Sequence, residues 1–464
     1  MGVGVARPLR LRRWADQPVP VDWYVETGRK VKLKGRLGMS LWLLLWLGYN
    51  TGPGYVMNPD FPARATDFIH GVRAFFPMLA GWLALLIIFR RAGRLFSWIM
   101  GPLGLILFYA VMGLISSAIE SPDPIFALYY VLNYVAIVLV MLAIVTVEDP
   151  IPDLRQVLNL TWIWGALTTI SLLGALPFLG SQAMIETEGT PVGYRAYSGA
   201  GEIMGMAATR NTGFARYAAI TALVALPAIL RMGKLRGRII WGVIFAASLY
   251  ALIIANGRTE TLAFVGGVAL ILVAEKAKRT VNILVALAAA ILLGLKGFFS
   301  GFFLFITRTG RVDTTMSGRT VTWDEGLRLL WKSPWIGFGF QADRYFLGQH
   351  MHNAFLHVFL QSGLLGGVAV LLSLAIVWCY LIKYFFIHQP YDKSLIPAEI
   401  PAVFLFVTVS SWAESTFAYF SAAWLLSAPI VAYVMALDRL MRRASVKAVN
   451  EQVLWAQLAR RNRL

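Results

Sequence analysis

Residues 317–367 read SGRTVTWDEGLRLLWKSPWIGFGFQADRYFLGQHMHNAFLHVFLQSGLLGG, and this stretch decides how the chain is organised. It is polar, it lies between long apolar runs, and a new apolar run opens after His352. Three of the five histidines in the chain, His350, His352 and His357, lie within it. Connections between helices are usually short, so a polar stretch of this length predicts a functional element rather than a connector.

The rest of the chain has the composition of a membrane protein. Of its 464 residues, 58% are hydrophobic and 14% are charged, and the mean hydropathy is +0.65. Soluble domains are about 45–50% apolar and about 25% charged. The sequence therefore predicts an all-α, polytopic integral membrane protein. The net charge of +18 is explained by basic cytoplasmic loops rather than by a nucleic-acid partner. The polar residues 1–38 lack the pattern of a signal peptide.

Apolar runs predict about twelve transmembrane helices, since one span needs roughly 20 apolar residues. The predicted spans are residues 39–57, 74–90, 95–119, 125–147, 157–179, 214–231, 238–255, 259–274, 281–304, 354–387, 400–414 and 417–437.

Basic residues predict the orientation of these helices. Lys and Arg are concentrated in residues 1–38, in alternate loops and in the C-terminal tail, and only the acidic segment 148–155 departs from this pattern. Because cytoplasmic loops collect Lys and Arg, both termini are predicted to be cytoplasmic and loops 181–213 and 305–353 to lie outside. The predicted parts are a basic tail (1–38), an N-terminal group of transmembrane helices (39–237), a transmembrane domain with the outer loop 305–353 (238–437) and a basic amphipathic tail (438–464).

Two arginines lie on the predicted outer side, where the orientation rule disfavours basic residues. Arg258 occupies a short turn between two apolar runs, and Arg319 lies in the first turn of a predicted interfacial helix, on the same face as Trp323. A guanidinium matches the oxygens of a phosphate group, so both arginines are candidates for phosphate binding. The alternatives are that Arg258 extends to lipid headgroups or pairs with Glu260, and that Arg319 is only solvated.

His352 is the candidate for proton transfer, since it begins the apolar run after the polar stretch. An imidazole accepts a proton near neutral pH, and Asn353 beside it is predicted to orient a sugar or a ring nitrogen. A structural role is the alternative for any single histidine. Further candidates for substrate binding, all at predicted outer ends of spans, are Arg73, Arg210, Asn211, Arg216 and Glu414.

No metal site or cofactor is predicted. His350 and His352 are two residues apart, but the acidic residues of the predicted outer side, Asp343 among them, are scattered in sequence and suggest no ligand set. The sequence also lacks nucleotide-binding and nucleophile-elbow motifs.

These motifs, taken together and in order, resemble the C-terminal domain shared by bacterial O-antigen ligases and O-antigen or exopolysaccharide polymerases. The resemblance covers approximately residues 240–370, and the first half of the chain agrees only in hydropathy. The matching residues are Asn256-Gly257-Arg258-Thr259, Ser317-Gly318-Arg319, Trp323, Ser333-Pro334, Gly337, Gly339, His352-Asn353, Leu356, Gly363 and Gly366.

The resemblance implies a glycosyltransferase of the bacterial inner membrane with a periplasmic active site. It implies a glycan linked to undecaprenyl diphosphate as donor, and a sugar hydroxyl of a lipid A core or of a second lipid-linked glycan as acceptor. It implies neither a metal ion nor another cofactor. In this chain Arg258 and Arg319 would bind the diphosphate, His352 would act as general base or orient the acceptor, and Glu414 is the candidate carboxylate of the final spans.

The residue types suit this chemistry independently of the resemblance. A lipid diphosphate leaves more readily when cations meet its developing charge in a water-poor site, and removal of the acceptor proton accelerates such a reaction about 10²–10⁴-fold. The alternative is a twelve-helix transporter or a lipid-linked oligosaccharide flippase, for which charges nearer the middle of the membrane are expected. Ligases and polymerases share these motifs, so both remain open.

Overall fold

The computed structural model describes residues 36–49, 71–179, 211–255, 257–274, 319–387 and 396–461. These residues form helices joined by turns, and no strand occurs among them. The prediction of an all-α fold is confirmed. The helices are α1 (Arg36–Gly48), α2 (Phe76–Phe89), α3 (Ala92–Ile99), α4 (Pro102–Ile119), α5 (Pro124–Val145), α6 (Pro150–Leu179), α7 (Asn211–Arg231), α8 (Leu235–Ala255), α9 (Arg258–Ala274), α10 (Arg319–Leu330), α11 (Ala342–Phe346), α12 (Ala354–Leu381, continued by a π-helical turn Ile382–Ile387), α13 (Glu399–Ser410) and α14 (Ala422–Arg461).

Eight helical stretches within the described part of the chain are long and apolar enough to cross a membrane. They comprise α2 with the residues just before it, α4 to α8, α12 and the first half of α14, while α1 and α13 are shorter apolar helices. The chain is therefore a polytopic membrane protein, as predicted. The total of twelve spans is not confirmed, and the predicted span 281–304 lies outside the described residues.

The prediction of one helix over residues 95–119 is wrong. This stretch contains two helices, α3 and α4, separated at Met100 and Gly101. Pro102 opens α4, where its missing amide hydrogen costs nothing and its fixed φ suits the first turn. Gly101 before it is extended, with φ −133° and ψ −169°. Apolar residues continue through the break, so hydropathy could not reveal it.

Two predicted spans near the C-terminus have different ends. α13 ends at Ser410 and α14 begins at Ala422, so residues 411–421 form a turn-rich link that contains Glu414. The Ser421 hydroxyl accepts a hydrogen bond from the amide of Trp424 at 3.1 Å, which caps α14. Serine at this position satisfies an amide that would otherwise lack a partner, and this explains why the last helix starts later than residue 417.

α14 is the central helix of the molecule, since most of its membrane-crossing part, Ala422–Arg443, is buried inside the protein. Trp424 of α14 stacks on Tyr134 of α5, with ring centroids 5.9 Å apart. α12 packs along α4, and α7 packs against α6, α8 and α9. Large apolar side chains such as Phe89 and Ile253 are exposed, as a lipid-facing surface requires. Helices from the predicted parts 39–237 and 238–437 thus share one core.

α12 is broken at Gly363, whose φ of +64° interrupts the helical hydrogen bonding. Segment 334–339 of the polar stretch lies in the break and exchanges backbone hydrogen bonds with α12 on both sides of it. The four N–H to carbonyl bonds are Leu364 to Pro334 (2.7 Å), Leu365 to Trp335 (3.4 Å), Phe338 to Leu360 (2.9 Å) and Gly339 to Gln361 (2.9 Å). The break therefore attaches the polar stretch to a helix of the membrane region.

Candidate functional site

Glu414 lies at the centre of the candidate site. It belongs to the link 411–421 and is 8% exposed. Its oxygen Oε1 lies 3.5 Å from Nη2 of Arg319, while Oε2 lies 3.6 Å from Nη2 of Arg216 and 3.4 Å from Nδ1 of His352. The structure thus brings together four of the predicted site residues from four different segments of the chain.

Arg216 bridges Glu414 to a second carboxylate. It lies near the start of α7, and its Nη2 is 3.5 Å from Oε1 of Glu260 in the first turn of α9. Arg216 and Glu260 are both buried. A buried charge is tolerated when it is paired, and Arg216 has a carboxylate on either side. This position favours holding Glu414 in place over direct contact with a substrate.

Arg319 is more accessible than Arg216. It begins α10, and its side chain is 28% exposed. Nη1 donates a hydrogen bond to the carbonyl of Ala413 at 2.8 Å, and Nη2 faces Glu414. Because a guanidinium has five N–H donors, Arg319 retains donors for an anionic ligand.

His352 precedes α12 in a left-handed backbone conformation, with φ +50°. Such a conformation costs a residue other than glycine about 1–3 kcal/mol and persists only where the surroundings impose it. The side chain is 27% exposed and reaches Glu414 through Nδ1. An ionised carboxylate can only accept, so Nδ1 carries the hydrogen in this pair and Nε2 is left as the basic nitrogen.

The surroundings of Glu414 keep its carboxyl ionised. Burial alone raises the pKa of Glu414, but the hydrogen bond from His352 and the charges of Arg216 and Arg319 outweigh burial and lower the pKa to about 2. A carboxylate in this state stabilises an imidazolium on His352, which is the species that forms when the histidine takes a proton.

Asn353 caps α12. Its side-chain oxygen accepts from the amide of Leu356 at 3.0 Å, and its side-chain nitrogen donates to the carbonyl of Trp412 at 3.2 Å. The amide of Ala354 also donates to the carbonyl of Ser411, at 2.9 Å. These bonds tie the start of α12 to the link 411–421. The predicted contact of Asn353 with a sugar stays a prediction.

The remaining predicted residues lie around this centre or outside the described residues. Arg258 is the first residue of α9, two positions before Glu260, and is partly exposed. Arg73 is buried and donates to the carbonyls of Leu47 and Tyr49, at 2.8 and 3.4 Å, at the end of α1. Arg210 and the side chain of Asn211 lie outside the part that the structure describes.

A buried cluster that the sequence did not predict lies next to the site. Asp343 of α11 is fully buried, and its Oδ2 lies 2.7 Å from Nδ1 of His350 while its Oδ1 lies 3.2 Å from Nε2 of His357. Nε2 of His357 is also 2.9 Å from the side-chain nitrogen of Gln361. The His350 ring packs against the His352 ring, with centroids 4.9 Å apart. Asp343, one of the acidic residues that are scattered in sequence, therefore lies against two of the three histidines of the polar stretch.

Three donor atoms of this cluster, one each from Asp343, His350 and His357, lie within 4.8 Å of one another, as the ligands of a metal ion do. A carboxylate and two imidazoles are a ligand set that zinc and other divalent metals accept. The prediction of a metal-free protein rested on the lack of a carboxylate beside the histidines, and Asp343 removes that argument. Asp343 Oδ2 is bonded to His350 and to the amide of Met351, whereas Asp343 Oδ1, His350 Nε2 and His357 Nδ1 are buried and have no hydrogen-bond partner among the described residues.

Part of this site lies in a region that is similar to known proteins. Residues 243–371 match the model of the family described as O-antigen ligase. A segment of 85 residues is 28% identical to the exopolysaccharide production protein ExoQ of Rhizobium meliloti (strain 1021), covering 15% of this chain and 19% of that protein. The matched family region contains Arg258, Arg319 and His352. Residues 243–371 of this chain are therefore similar to the O-antigen ligase family, and the resemblance to the ligase and polymerase family is confirmed.

Proposed function

We propose that this chain is a membrane glycosyltransferase that moves a glycan from undecaprenyl diphosphate to a sugar hydroxyl at the outer face of the bacterial inner membrane. The observation that carries the proposal is the convergence of His352, Glu414 and Arg319 at one end of the helix assembly. The similarity of residues 243–371 to O-antigen ligases supports the same class of reaction. The 85-residue segment that is similar to ExoQ, by its name a protein of exopolysaccharide production, supports a role in making a polysaccharide.

His352 is proposed to activate the acceptor. Its Nε2 takes the proton of the attacking sugar hydroxyl, and Glu414, bonded to Nδ1 on the other side of the ring, stabilises the imidazolium that results. The partial exposure of the His352 side chain gives the acceptor access. In this role Glu414 orients and stabilises the base, and does not itself take the proton.

Arg319 and Arg258 are proposed to bind the diphosphate of the donor. Both begin helices, so each combines its own charge with the amides of a helix N-terminus. A diphosphate bound to Arg319 draws this cation away from Glu414, and the carboxylate then acts more strongly on His352. Donor binding would in this way prepare the base for the acceptor. Arg216, buried between Glu260 and Glu414, keeps the carboxylate in place meanwhile.

The proposal also states on which side of the membrane the site lies and which molecule accepts the glycan. The ends of α7, α9, α12 and α13 that surround Glu414 lie opposite the end where Arg231 and Glu399 form an ion pair at 3.3 Å. Basic residues around 231–238 favour the cytoplasm for that second end, which leaves the site outside and both termini inside. The acceptor is a lipid A core in a ligase and a second lipid-linked glycan in a polymerase.

Replacement of His352 tests the proposal. The wild-type chain and His352→Gln are purified, placed in liposomes and supplied with the lipid-linked glycan extracted from a deletion strain, together with lipid A core as a second acceptor. The expected result is that His352→Gln loses about 10²–10⁴-fold in product formation while it keeps the wild-type melting temperature. Glu399→Gln, which breaks a Glu–Arg pair at the opposite end of the helices, is the matched control and should keep full activity.

The products separate the alternatives. Transfer in the wild type with normal transfer in His352→Gln would contradict the role of the histidine. Movement of the intact lipid-linked glycan across the bilayer without any new glycosidic bond would favour a flippase and contradict the enzyme. Product on lipid A core identifies a ligase, and longer lipid-linked chains identify a polymerase.

A further inference from the structure

The backbone of His352 is held from both sides. Its φ of +50° is unfavourable for any residue other than glycine. On one side the Met351 amide donates to Asp343 Oδ2 at 3.0 Å, and the Met351 carbonyl accepts from the indole of Trp323 at 2.8 Å. On the other side Asn353 is bonded to α12 and to the link 411–421. The conformation of His352 is therefore imposed by its two neighbours.

Asp343 connects these neighbours to the membrane helices. It is fully buried, and its oxygen Oδ2 lies within hydrogen-bonding distance of both the Met351 amide and the His350 ring. Its other oxygen faces His357, which lies in the first turn of α12 and is itself fully buried. α12 packs against α4. Because Asp343 contacts both Met351 and His357 of α12, it fixes the position of Met351 relative to α12.

His350 transmits the same restraint to the side chain of His352. Its ring stands nearly perpendicular to the His352 ring, at 74° with centroids 4.9 Å apart. Burial lowers the pKa of His350 to about 4, against the opposing effect of Asp343. A neutral His350 supports the His352 ring without repelling the positive charge that the base acquires.

We propose that Asp343 is a positioning residue for His352: by holding the Met351 amide and His350 it imposes the left-handed backbone from which the imidazole reaches Glu414. This inference rests on the proposed function of His352. Asp343 touches no substrate in this scheme, and its effect passes through the two residues before the base.

Two substitutions of Asp343 test the inference, with the same liposome assay and the extracted lipid-linked glycan as probe. Asp343→Asn keeps the shape and one oxygen that can accept from the Met351 amide, so kcat should fall about tenfold. Asp343→Ala removes both contacts and should lower kcat about a hundredfold. KM for the donor should stay within twofold in Asp343→Asn, because Arg319 and Arg258 are untouched. Where Asp343→Ala does not fold, Asp343→Asn alone decides.

Tyr109→Phe is the matched control. The Tyr109 hydroxyl is bonded to Gln361, which contacts His357, and to the carbonyl of Ala418, and it contacts neither Met351 nor His352 in the bonds described. Its removal also weakens the buried network, so the melting temperature should fall, but kcat should remain at the wild-type value. Equal losses of kcat in Tyr109→Phe and Asp343→Asn would mean a merely structural role and would overturn the inference.

Two further results would overturn it. One is full kcat in a folded Asp343→Asn, and the other is a stoichiometric divalent metal in the purified wild type that Asp343→Asn loses, measured by elemental analysis. His352→Gln, assayed in parallel, distinguishes a failure of the positioning role of Asp343 from a failure of the proposed function. An inactive His352→Gln beside a fully active Asp343→Asn rejects the positioning role only, whereas an active His352→Gln rejects the proposed function.

Discussion

Glu414 is a buried carboxylate with three basic partners, Arg216, Arg319 and His352. Each partner contributes something different. Arg216 is buried and shared with Glu260, so it compensates the charge permanently, whereas Arg319 and His352 are partly exposed and can change partners. Removing one member of a buried charged group costs more than the pair contributes, because the remaining charge is left without compensation.

Glu414→Gln should make the fold less sensitive to acid between pH 4.5 and pH 2. The pKa of Glu414 in the folded state, about 2, lies below its ordinary value of 4.5. The ionised form therefore stabilises the fold above pH 4.5, and this contribution, of order a few kcal/mol, is lost as the pH falls towards 2. The measurement is the melting temperature in detergent at pH 7, 4.5 and 2.5.

The variant should already be less stable than the wild type at pH 7 and should lose less between pH 4.5 and 2.5. Glu399→Gln serves as the control and should follow the wild-type curve. The loss of stability between pH 6.5 and pH 4 is caused by His350, whose pKa is lowered from 6.5 to about 4. This loss should also occur in Glu414→Gln. Parallel curves for Glu414→Gln and the wild type below pH 4.5 would show that Glu414 is not the stabilising carboxylate.

At the scale of the elements, the break in α12 determines where the polar stretch lies. Gly363 has a φ of +64°, and the four backbone hydrogen bonds around it join segment 334–339 to α12. A Cβ atom at Gly363 would lie 2.2 Å from the carbonyl carbon of Trp335. No side chain fits there without moving the backbone of the polar stretch.

Gly363→Ala should therefore displace the polar stretch from α12. The left-handed φ alone costs about 1–3 kcal/mol, and the contact with Trp335 adds to it. We expect a lower melting temperature and a loss of transferase activity. Gly242→Ala is the matched control, since a Cβ there meets nothing within 4 Å and alanine favours a helix by roughly 0.5–1 kcal/mol. A Gly363→Ala protein with wild-type stability and activity would contradict the placement of segment 334–339 in the break of α12.

Part of this element was predictable from the sequence. Trp323, Leu327 and Leu330 recur at helical spacing, and α10, which ends at Leu330, contains all three. The break in α12 was not predictable, because two polar residues before Gly363, Gln361 and Ser362, do not end the long apolar run in which they lie. A single glycine in such a run is compatible with an uninterrupted helix. Only the neighbouring segment 334–339, which supplies the missing backbone partners, makes the broken form stable.

At the scale of the whole molecule, the charged clusters lie in two groups, one at each end of the helices. Glu414 and its partners lie at one end, and at the other Arg231 pairs with Glu399 and Asp438 pairs with Arg442. Exposed tryptophans, Trp331, Trp335 and Trp412, lie at the Glu414 end, where a belt of interfacial aromatic residues is expected.

Cysteine labelling should show on which side each end lies. In a Cys379→Ser background, which removes the single cysteine of the chain, Lys332→Cys reports on the Glu414 end and Gly233→Cys on the opposite end. A membrane-impermeant maleimide should label Lys332→Cys in spheroplasts and Gly233→Cys only after the membrane is permeabilised, because basic loops remain in the cytoplasm. Both positions are exposed, so access of the reagent is matched. The reverse pattern would place the site in the cytoplasm.

The sequence by itself determined that this chain is an all-α membrane protein and to which family residues 243–371 are similar, and it singled out Arg258, Arg319 and His352 as candidates for the site. Composition and the order of motifs are local properties, so they can be read without a fold. The tertiary structure decided the rest: that Glu414 meets His352, that Arg216 bridges Glu260 to Glu414, and that Asp343 joins two histidines. These contacts join residues distant in sequence, and the packing of α7, α9, α12 and α13 brings their ends together.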